Sequence, residues 1–455
     1  MRSDFLAADR DSLYLLPPSV QDWLPDNHLA RFVVDIVAQL DLPPLRDAYA
    51  GRGCKAYDPE MLLSLLFYGY ATGTFSSRKL ELATYESIAV RYIAGNSHPD
   101  HDTIANFRKR FLAELKPFFV QILTLAHEMK ILTIGKISID GTKIKANASK
   151  HQALSWGHAC KLEKQLKDEV DTLLLQAEQA DQSTIPDGMT IPEELARREK
   201  RLEAIARAKC EIERRAEERY AKEQAEHDAK LAERERKAQE SGKKSRGKTP
   251  KAPVPGVRDR DQVNLTDEES RIMPVSGGGF MQAYNAQASV DLDTMLIVGA
   301  HVSQNPNDKL ELQPALDELN KLPAKLGKVK EATADSGYFS KTNVELCDEE
   351  TITPYIAAGR ESHNQSLADR FSEPDPIAKD ADAVTKMKYR LKTKDGKALY
   401  AKRKCTVEPV FGVIKSVMGF RQFLLRGIEN VRGEWDLVAI AWNLKRLNVL
   451  RQIMG

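Results

Sequence analysis

Three acidic residues stand where their chemistry needs explaining. Asp140 closes the short apolar run Ile137-Ser138-Ile139 ahead of Gly141, and Asp335 closes a second such run in KEATADSGYFS, ahead of Ser336, Gly337 and Tyr338. Aspartate is depleted in strands and rarely buried unpaired, so an acid ending an apolar run serves either a turn or a charged partner. Taken singly, Asp140-Gly141-Thr142 reads equally well as a hairpin turn. Two strand-terminal aspartates are less easily assigned to turns. A third acid, Glu408, precedes Pro409 and the apolar-periodic residues Val410, Phe411, Val413, Ile414 and Val417. Proline suits a first helical turn and restricts the residue before it, so a helix starts or bends near Glu408. Glu408 is then either an acid favoured by the helix dipole or a catalytic carboxylate. Lys415, nearly two turns further on, shares its face.

Three carboxylates are ligands of the kind that hard divalent cations prefer. Two such cations about 3.5–4 Å apart can activate an oxygen nucleophile, relieve charge on a phosphorane-like state and assist the leaving oxygen of a phosphodiester. The charge around Glu408 points to a polyanion as well. The whole chain carries a formal net charge of only +2, but Lys386 to Arg426 holds twelve Lys and Arg against Asp395 and Glu408, which is +10 over that stretch. Such clustering is the footprint of a phosphate backbone; a solvated basic surface is the plainer reading.

Asp140 in IDGT, Asp335 in ADSGY and Glu408 in YAKRKCTVEPVFGVIK together resemble the DDE transposases of bacterial insertion sequences. In that family the third acid lies in a Tyr-Arg-Glu-Lys signature, which Tyr400, Arg403, Glu408 and Lys415 match in order. One extra residue stands between Arg403 and Glu408, so Arg403 or Lys404 fills the arginine position. The resemblance implies an α/β fold, a mixed-sheet ribonuclease H-like catalytic domain, with an N-terminal all-helical domain and a long helical insertion. It implies Asp140, Asp335 and Glu408 as catalytic residues and metal ligands for two Mg2+ ions, with Mn2+ as a substitute. Tyr400, Arg403 or Lys404, and Lys415 are then DNA contacts. The partners are DNA, both the terminal inverted repeats of the element and the target, and a second copy of the chain, because two ends must be held together. A catalytically inactive, transposase-derived DNA-binding regulator is the rival reading, and an ordinary nuclease of the same fold a third.

The elements that must position these residues are legible to different degrees. Residues 1–130 read as a helical DNA-binding domain. Asp58 and Pro59 open a helix through Met61, Leu62, Leu65, Leu66, Phe67 and Tyr70 that ends near Gly73. A second helix runs from Ser77 to Ala94, and a third, capped by Asp102 or Thr103, carries Ile104, Phe107, Phe111 and Leu112 on one face. Arg108, Lys109 and Arg110 lie beside that face, which suggests a helix-turn-helix-like reader with these three as DNA contacts; a helical bundle with a basic stripe is the alternative. His98, Asp100, His101 and Asp102 have metal-ligating side chains, but loop residues of this kind usually do other work.

Residues 131–150 and 260–455 are expected to form the catalytic domain, interrupted by a charged helical insertion and basic linker over 151–259. Glu193 to Glu240 holds 14 acidic and 14 basic residues with a thin apolar stripe of Leu195, Leu202, Ile205, Ile212 and Leu231, the pattern of a solvent-exposed helical or coiled-coil arm. The segment SGKKSRGKTPKAP after it reads as a flexible basic linker. Two strands about Asp291 to Thr294 form a hairpin, a helix spans Asp308 to Leu322, another lies near Thr342 to Cys347, and a strand covers Thr353 to Ala357. A final helix starts near Val431, with Leu437, Ile440, Ala441, Leu444 and Leu447 as its core stripe and Trp435 and Trp442 as packing residues.

No apolar run is long enough to span a membrane, and the N-terminal residues carry acids where a signal peptide needs an apolar stretch, so a cytoplasmic location is expected. The five cysteines are scattered without a CxxC pair, which argues against disulfides and structural zinc.

Overall fold

The computed structural model describes residues 19–49, 56–178, 190–241, 248–275, 277–359, 374, 376–378 and 380–454. The N-terminal segment 1–18, Cys54 and much of the basic linker fall outside the described residues. The chain divides into two units. The first comprises Met1–Ile144, Asn285–Leu425 and Glu429–Gly455, and the second Lys145–Tyr284 with Arg426–Ile428.

The first unit opens with helices α1 (Leu29–Val37), α2 (Pro43–Asp47), α3 (Pro59–Ala71), α4 (Ser77–Glu86), α5 (Ile88–Ile93), α6 (His101–Arg110) and α7 (Leu115–Glu128). In α3, Asp58 accepts a hydrogen bond from the Glu60 amide at 3.1 Å and Pro59 occupies the first turn, as expected. From Leu62 to Ala71 every residue is buried, so α3 runs through the middle of its layer rather than along one side. The single helix expected from Ser77 to Ala94 is two, because Ser87 leaves helical geometry and its hydroxyl caps α5 through the Val90 amide. The cap of α6 is Asp100, bonded to the Thr103 amide at 2.7 Å, rather than Asp102 or Thr103.

The strands are β1 (Ile134–Lys145), β2 (Ala153–Ser155), β3 (Gln262–Asn264), β4 (Arg271–Pro274), β5 (Phe280–Asp291), β6 (Ile297–Ser303), β7 (Gly327–Ala334) and β8 (Thr353–Ile356). In the first unit the order across the sheet is β6-β5-β1-β7-β8. β5 and β6 are antiparallel, as the hairpin reading required, whereas β1, β7 and β8 are parallel. This mixed sheet, flanked by α10 (Leu312–Asn320) and α11 (Lys341–Glu349), is the ribonuclease H-like α/β fold that was anticipated. The helix expected from Asp308 begins instead as a short 3-10 turn, Asp308–Leu310, and α10 follows it.

The C-terminal helix, Ile428–Met454, starts three residues before the expected position. It is buried on every side from Gly433 to Leu444, where a single apolar stripe was expected. Both flanks have partners. Trp435 donates its indole N–H to the Gln287 carbonyl at 2.9 Å, and the Asn443 amide exchanges two hydrogen bonds with the Ile297 backbone, each 2.8 Å, in place of a further strand. Toward the N-terminal helices, Glu434 receives the Tyr70 hydroxyl at 3.0 Å.

The second unit is a helical hairpin, α8 (Trp156–Glu178) and α9 (Ile191–Ser241), with a small base formed by the antiparallel pair β2–β3. Leu154, Ala159, Leu166, Ile205, Ala208, Ile212 and Val263 form its core. Ile205 and Ile212 of the expected stripe belong to that core and Leu202 packs at its edge, while Leu195 and Leu231 lie outside it. The balanced charges pair off along and between the helices, with Arg198 on Glu169 and Lys209 on Glu163, both at 2.8 Å. Exposed to solvent, such pairs favour the helix without fixing its length. Among the described residues no helix is long and apolar enough to cross a membrane.

Candidate active site

The parallel pairing of β1 with β7 matches Ile139 with Ala334, so the next residues in register are Asp140 and Asp335. Neighbouring strands run about 4.8 Å apart, so the two carboxylates leave the sheet side by side. Asp335 accepts a hydrogen bond from the Gly337 amide at 2.8 Å and caps the 3-10 turn Ser336–Tyr338. Asp140 departs from expectation in one respect: its strand does not stop there but runs on to Lys145, and no Asp-Gly-Thr turn forms. Gly141 makes this possible. A Cβ at that position would lie 2.1 Å from the Gln287 amide nitrogen and 2.6 Å from an Asp308 carboxylate oxygen. Only a residue without a side chain lets β1 pass that close to its neighbours.

The third acid arrives on the helix Val407–Gly412, whose first turn contains Glu408. Arg403 joins it to the sheet. One guanidinium nitrogen donates to Asp140 Oδ2 at 3.1 Å and another to Glu408 Oε1 at 2.8 Å. The side chain of Arg403 is 13 % exposed, against 46 % for Glu408. Tyr400, half-buried, lies beside Arg403. Of the two candidates for the arginine position, Arg403 is brought to the acids while Lys404 is exposed to solvent. Beyond Gly412 the helix loosens into a π-turn, Val413–Val417, closed by the Met418 amide on the Val413 carbonyl at 2.8 Å. Lys415 sits in that turn and donates to the Thr142 hydroxyl and, at 3.2 Å, to the Lys143 carbonyl. It thereby ties the third-acid segment to β1 two residues past Asp140.

A fourth acid, Asp308, was not singled out from the sequence. Its Oδ1 accepts from Lys143 Nζ at 3.2 Å, Asn285 Nδ2 at 2.7 Å and Gln287 Nε2 at 2.8 Å. The Tyr338 hydroxyl donates to the other side of the Gln287 amide. Asn285, Gln287 and Tyr338 are fully buried. The legible signal was the polar residue at every second position of an otherwise apolar strand, Asn285, Gln287 and Ser289 of β5, which marks a polar face turned inward.

The electrostatics follow from crowding. Burial pushes the Asp140 carboxyl up to about 6; Arg403 opposes this and the neighbouring Asp335 and Asp308 add to it. Burial likewise lowers the Lys415 ammonium, with Lys143 adding to the effect. Four carboxylates, those of Asp140, Asp335, Asp308 and Glu408, are thus gathered about the cations of Arg403, Lys143 and Lys415. Carboxylate oxygens in excess are a donor set that suits a hard divalent cation. The positive charge between Asp140 and Glu408 is supplied by Arg403, and among the described residues no three His, Cys, Asp or Glu gather closely enough to enclose an ion.

The basic residues of α6 point in different directions. Arg108 turns inward, donating to the Tyr70 hydroxyl at 3.1 Å and the Phe75 carbonyl at 3.0 Å. Arg110 stacks on Tyr49 and donates to the Ala48 carbonyl, and Lys109 is exposed. In the loop before α6, His98 stacks on Tyr85 and bonds Thr84, His101 pairs with Glu81 at 2.8 Å, and Asp100 caps. These side chains are therefore occupied within the helical layer.

A mixed sheet of this order, with two acids at matched positions of adjacent parallel strands, is the architecture of a ribonuclease H-like domain. Comparison with protein families makes the assignment specific. A transposase domain (DUF772) matches residues 18–110, and a transposase DDE domain matches residues 254–444. The chain belongs to the DDE transposases of insertion sequences. The second match contains Asp335 and Glu408, while Asp140 lies between the two matched segments. No curated protein matches the chain. No solved structure matches it.

Proposed function

We propose that Asp140, Asp335 and Glu408 are the catalytic carboxylates of a metal-dependent transposase that binds the terminal inverted repeats of its element, cleaves a phosphodiester to free a 3′-hydroxyl and joins it to target DNA. The observation that carries this reading is the register of β1 on β7, which puts two acids nearly 200 residues apart in sequence on adjacent strands. Arg403 brings the third into the same charge cluster. When bound by the three acids, two Mg2+ ions, or Mn2+ in their place, would supply Lewis-acid activation of the attacking oxygen and neutralisation of the leaving one.

The protein's own groups do the rest. Asp140, Asp335 and Glu408 would hold those ions. Arg403, released from the acids, is placed to meet the scissile phosphate, and its planar fork suits a phosphate better than a lysine does. Tyr400 steadies Arg403. Lys415 and the exposed Lys404 carry positive charge to either side, and the lysines between Lys386 and Lys402 extend it along the DNA backbone. Of the α6 residues, Lys109 is the one whose side chain is free to reach DNA; Arg108 and Arg110 support the helix that carries it. Joining two ends requires two active sites, so the working form is a homodimer, and its substrate places it in the cytoplasm.

The test is to incubate the purified chain with labelled element ends and Mg2+, then look for nicking and for strand-transfer products. Wild type should give both, and Asp140→Ala, Asp335→Ala and Glu408→Ala should bind DNA but give neither. Cleavage that survives any of the three substitutions would reject the site, and cleavage without joining would identify a nuclease.

A further inference from the structure

We propose that the exposed face of α4 is the surface through which two copies of the chain pair, helix against helix and antiparallel, about a two-fold axis at Leu82. This deepens the proposed function, on whose two-copy requirement it rests. Leu82, Tyr85 and Ile88 follow one another at three-residue steps across the junction of α4 and α5 and are 53 %, 56 % and 55 % exposed. The ring of His98 lies flat against Tyr85, with centroids 3.9 Å apart and planes 9° from parallel, and the exposed Tyr57 donates its hydroxyl to the His98 carbonyl at 3.3 Å. His98 is held in turn by the hydroxyl of the buried Thr84 at 3.0 Å. Tyr85 therefore stands in one orientation before any partner arrives, which spares the ordering cost that a mobile side chain brings to an interface. Large exposed apolar side chains on one face, with a fixed tyrosine among them, are what a protein contact needs.

The charges on the same face select the partner. Arg78 and Lys79 lie in the first turn of α4, and Glu86 is its last residue. That order opposes the helix dipole, which favours acids at the start of a helix and bases at its end. All three are exposed, and among the described residues none of them is paired with an opposite charge. A phosphate backbone would suit Arg78 and Lys79 but not Glu86, and would leave Leu82 uncovered.

Turned end for end, a second α4 supplies what is missing. Arg78 and Glu86 stand four residues before and after Leu82, and Lys79 and Tyr85 three before and after. These five positions span about 120° of the helix, one face. In an antiparallel pair, a two-fold axis at Leu82 sets positions equally far on either side opposite each other. Arg78 then faces the partner's Glu86, Lys79 faces the ring of the partner's Tyr85, and Leu82 packs on its own copy. Four residues are only about 6 Å along a helix, so helices that cross at an ordinary packing angle still bring these groups together. One helix pair is a small interface, so association should fall in the micromolar range.

Sedimentation equilibrium of the full-length chain, free and on element ends, tests this, with circular dichroism as the check on folding. Every residue changed is exposed, so the variants should fold. Free wild type should dimerise, and Leu82→Glu, which puts two like charges at the axis, should be monomeric. Arg78→Glu and Glu86→Arg should each weaken the dimer by at least about ten-fold, because each sets like charges opposite one another twice. Combined in one chain they restore opposite charges and should recover most of the wild-type affinity, which neither misfolding nor a change of net charge would do. Leu82→Cys, oxidised, should give a covalent dimer bridged through position 82. A free wild type that stays monomeric, a dimer that Leu82→Glu leaves intact, reversals that do not rescue each other, or no bridge through position 82 each overturns the surface. Variants that remain dimeric yet lose affinity for a single element end would make the face a DNA contact and likewise overturn it. Wild type that is monomeric on element ends as well overturns the two-copy requirement itself.

Discussion

Replacing Asp140 with Asn should stabilise the metal-free protein, and should do so only above the acid range. Asp140 titrates at about 6 in the folded chain because burial, with Asp335 and Asp308 adding to it, outweighs the help of Arg403. In the unfolded chain an aspartate titrates near 3.9. A raised pKa means that the folded state holds the proton more firmly, so this group's contribution is fully present below about pH 4 and is lost as pH rises through about 6. Roughly two pKa units at about 1.36 kcal/mol each give a deficit on the order of 3 kcal/mol at pH 8. Asparagine never ionises, and its Oδ1 can still accept the Gly141 amide that Asp140 accepts at 2.8 Å. Denaturant unfolding in the presence of a chelator should show Asp140→Asn equal to wild type near pH 4 and more stable by up to about 3 kcal/mol at pH 8. A variant that is no more stable than wild type at pH 8, or equally stabilised at both pH values, would show that burial does not hold the Asp140 carboxyl up at about 6. Such a gain would also mark the site as one where stability is given up for function.

Other perturbations read other parts of the site. Arg403→Gln removes the cation that spans Asp140 and Glu408 and should raise Mn2+ affinity by about ten-fold, the worth of one charge-assisted hydrogen bond, while DNA cleavage falls; unchanged Mn2+ affinity would mean the guanidinium does not compete. Gly141→Ala forces a methyl against Gln287 and Asp308, neither of which can retreat from its network, and should cost about 1–3 kcal/mol in a denaturant titration and abolish cleavage. Tyr70→Phe removes the hydroxyl that donates to Glu434 Oε1 and accepts from Arg108, leaving that buried carboxylate oxygen short of a donor, and should destabilise the protein by about 1–3 kcal/mol without altering Mn2+ affinity. DNA affinity measured by fluorescence anisotropy should fall by roughly 10³ between 50 and 200 mM salt if about six phosphates are neutralised, and a flat salt response would exclude the basic segment as a backbone contact.

The parts of this fold that were legible are those in which local sequence and tertiary need agree. Asp58-Pro59 opens α3 as its residue types require, and the β5–β6 hairpin follows from alternation through Tyr284, Ala286, Ala288 and Val290. Asp140 and Asp335 were conspicuous because an acid after an apolar run is costly unless it has a task. Long-range pairings decided the rest. Gly141 looked like a turn residue, yet it extends β1, because the reason for glycine there is Gln287 and Asp308 approaching from distant segments. The C-terminal helix looked amphipathic, yet Trp435, Glu434 and Asn443 each have partners on different sides. Ser87 interrupts a continuous helical pattern because its hydroxyl offers the Val90 amide a cap. Arg108 sat among basic residues on a helix, and only the fold discloses that Tyr70 and Phe75 claim it. Asp308 had no local signal, since its role lies wholly in what Lys143, Asn285 and Gln287 bring to it.

The central claim is that three acids far apart in sequence share divalent ions in the presence of DNA. Anomalous scattering from crystals of the chain bound to an element end and Mn2+ tests it directly. The account predicts manganese peaks bounded by Asp140, Asp335 and Glu408, with the Arg403 guanidinium moved onto a phosphate. Manganese elsewhere, or Arg403 still spanning Asp140 and Glu408 in the DNA-bound state, would contradict it.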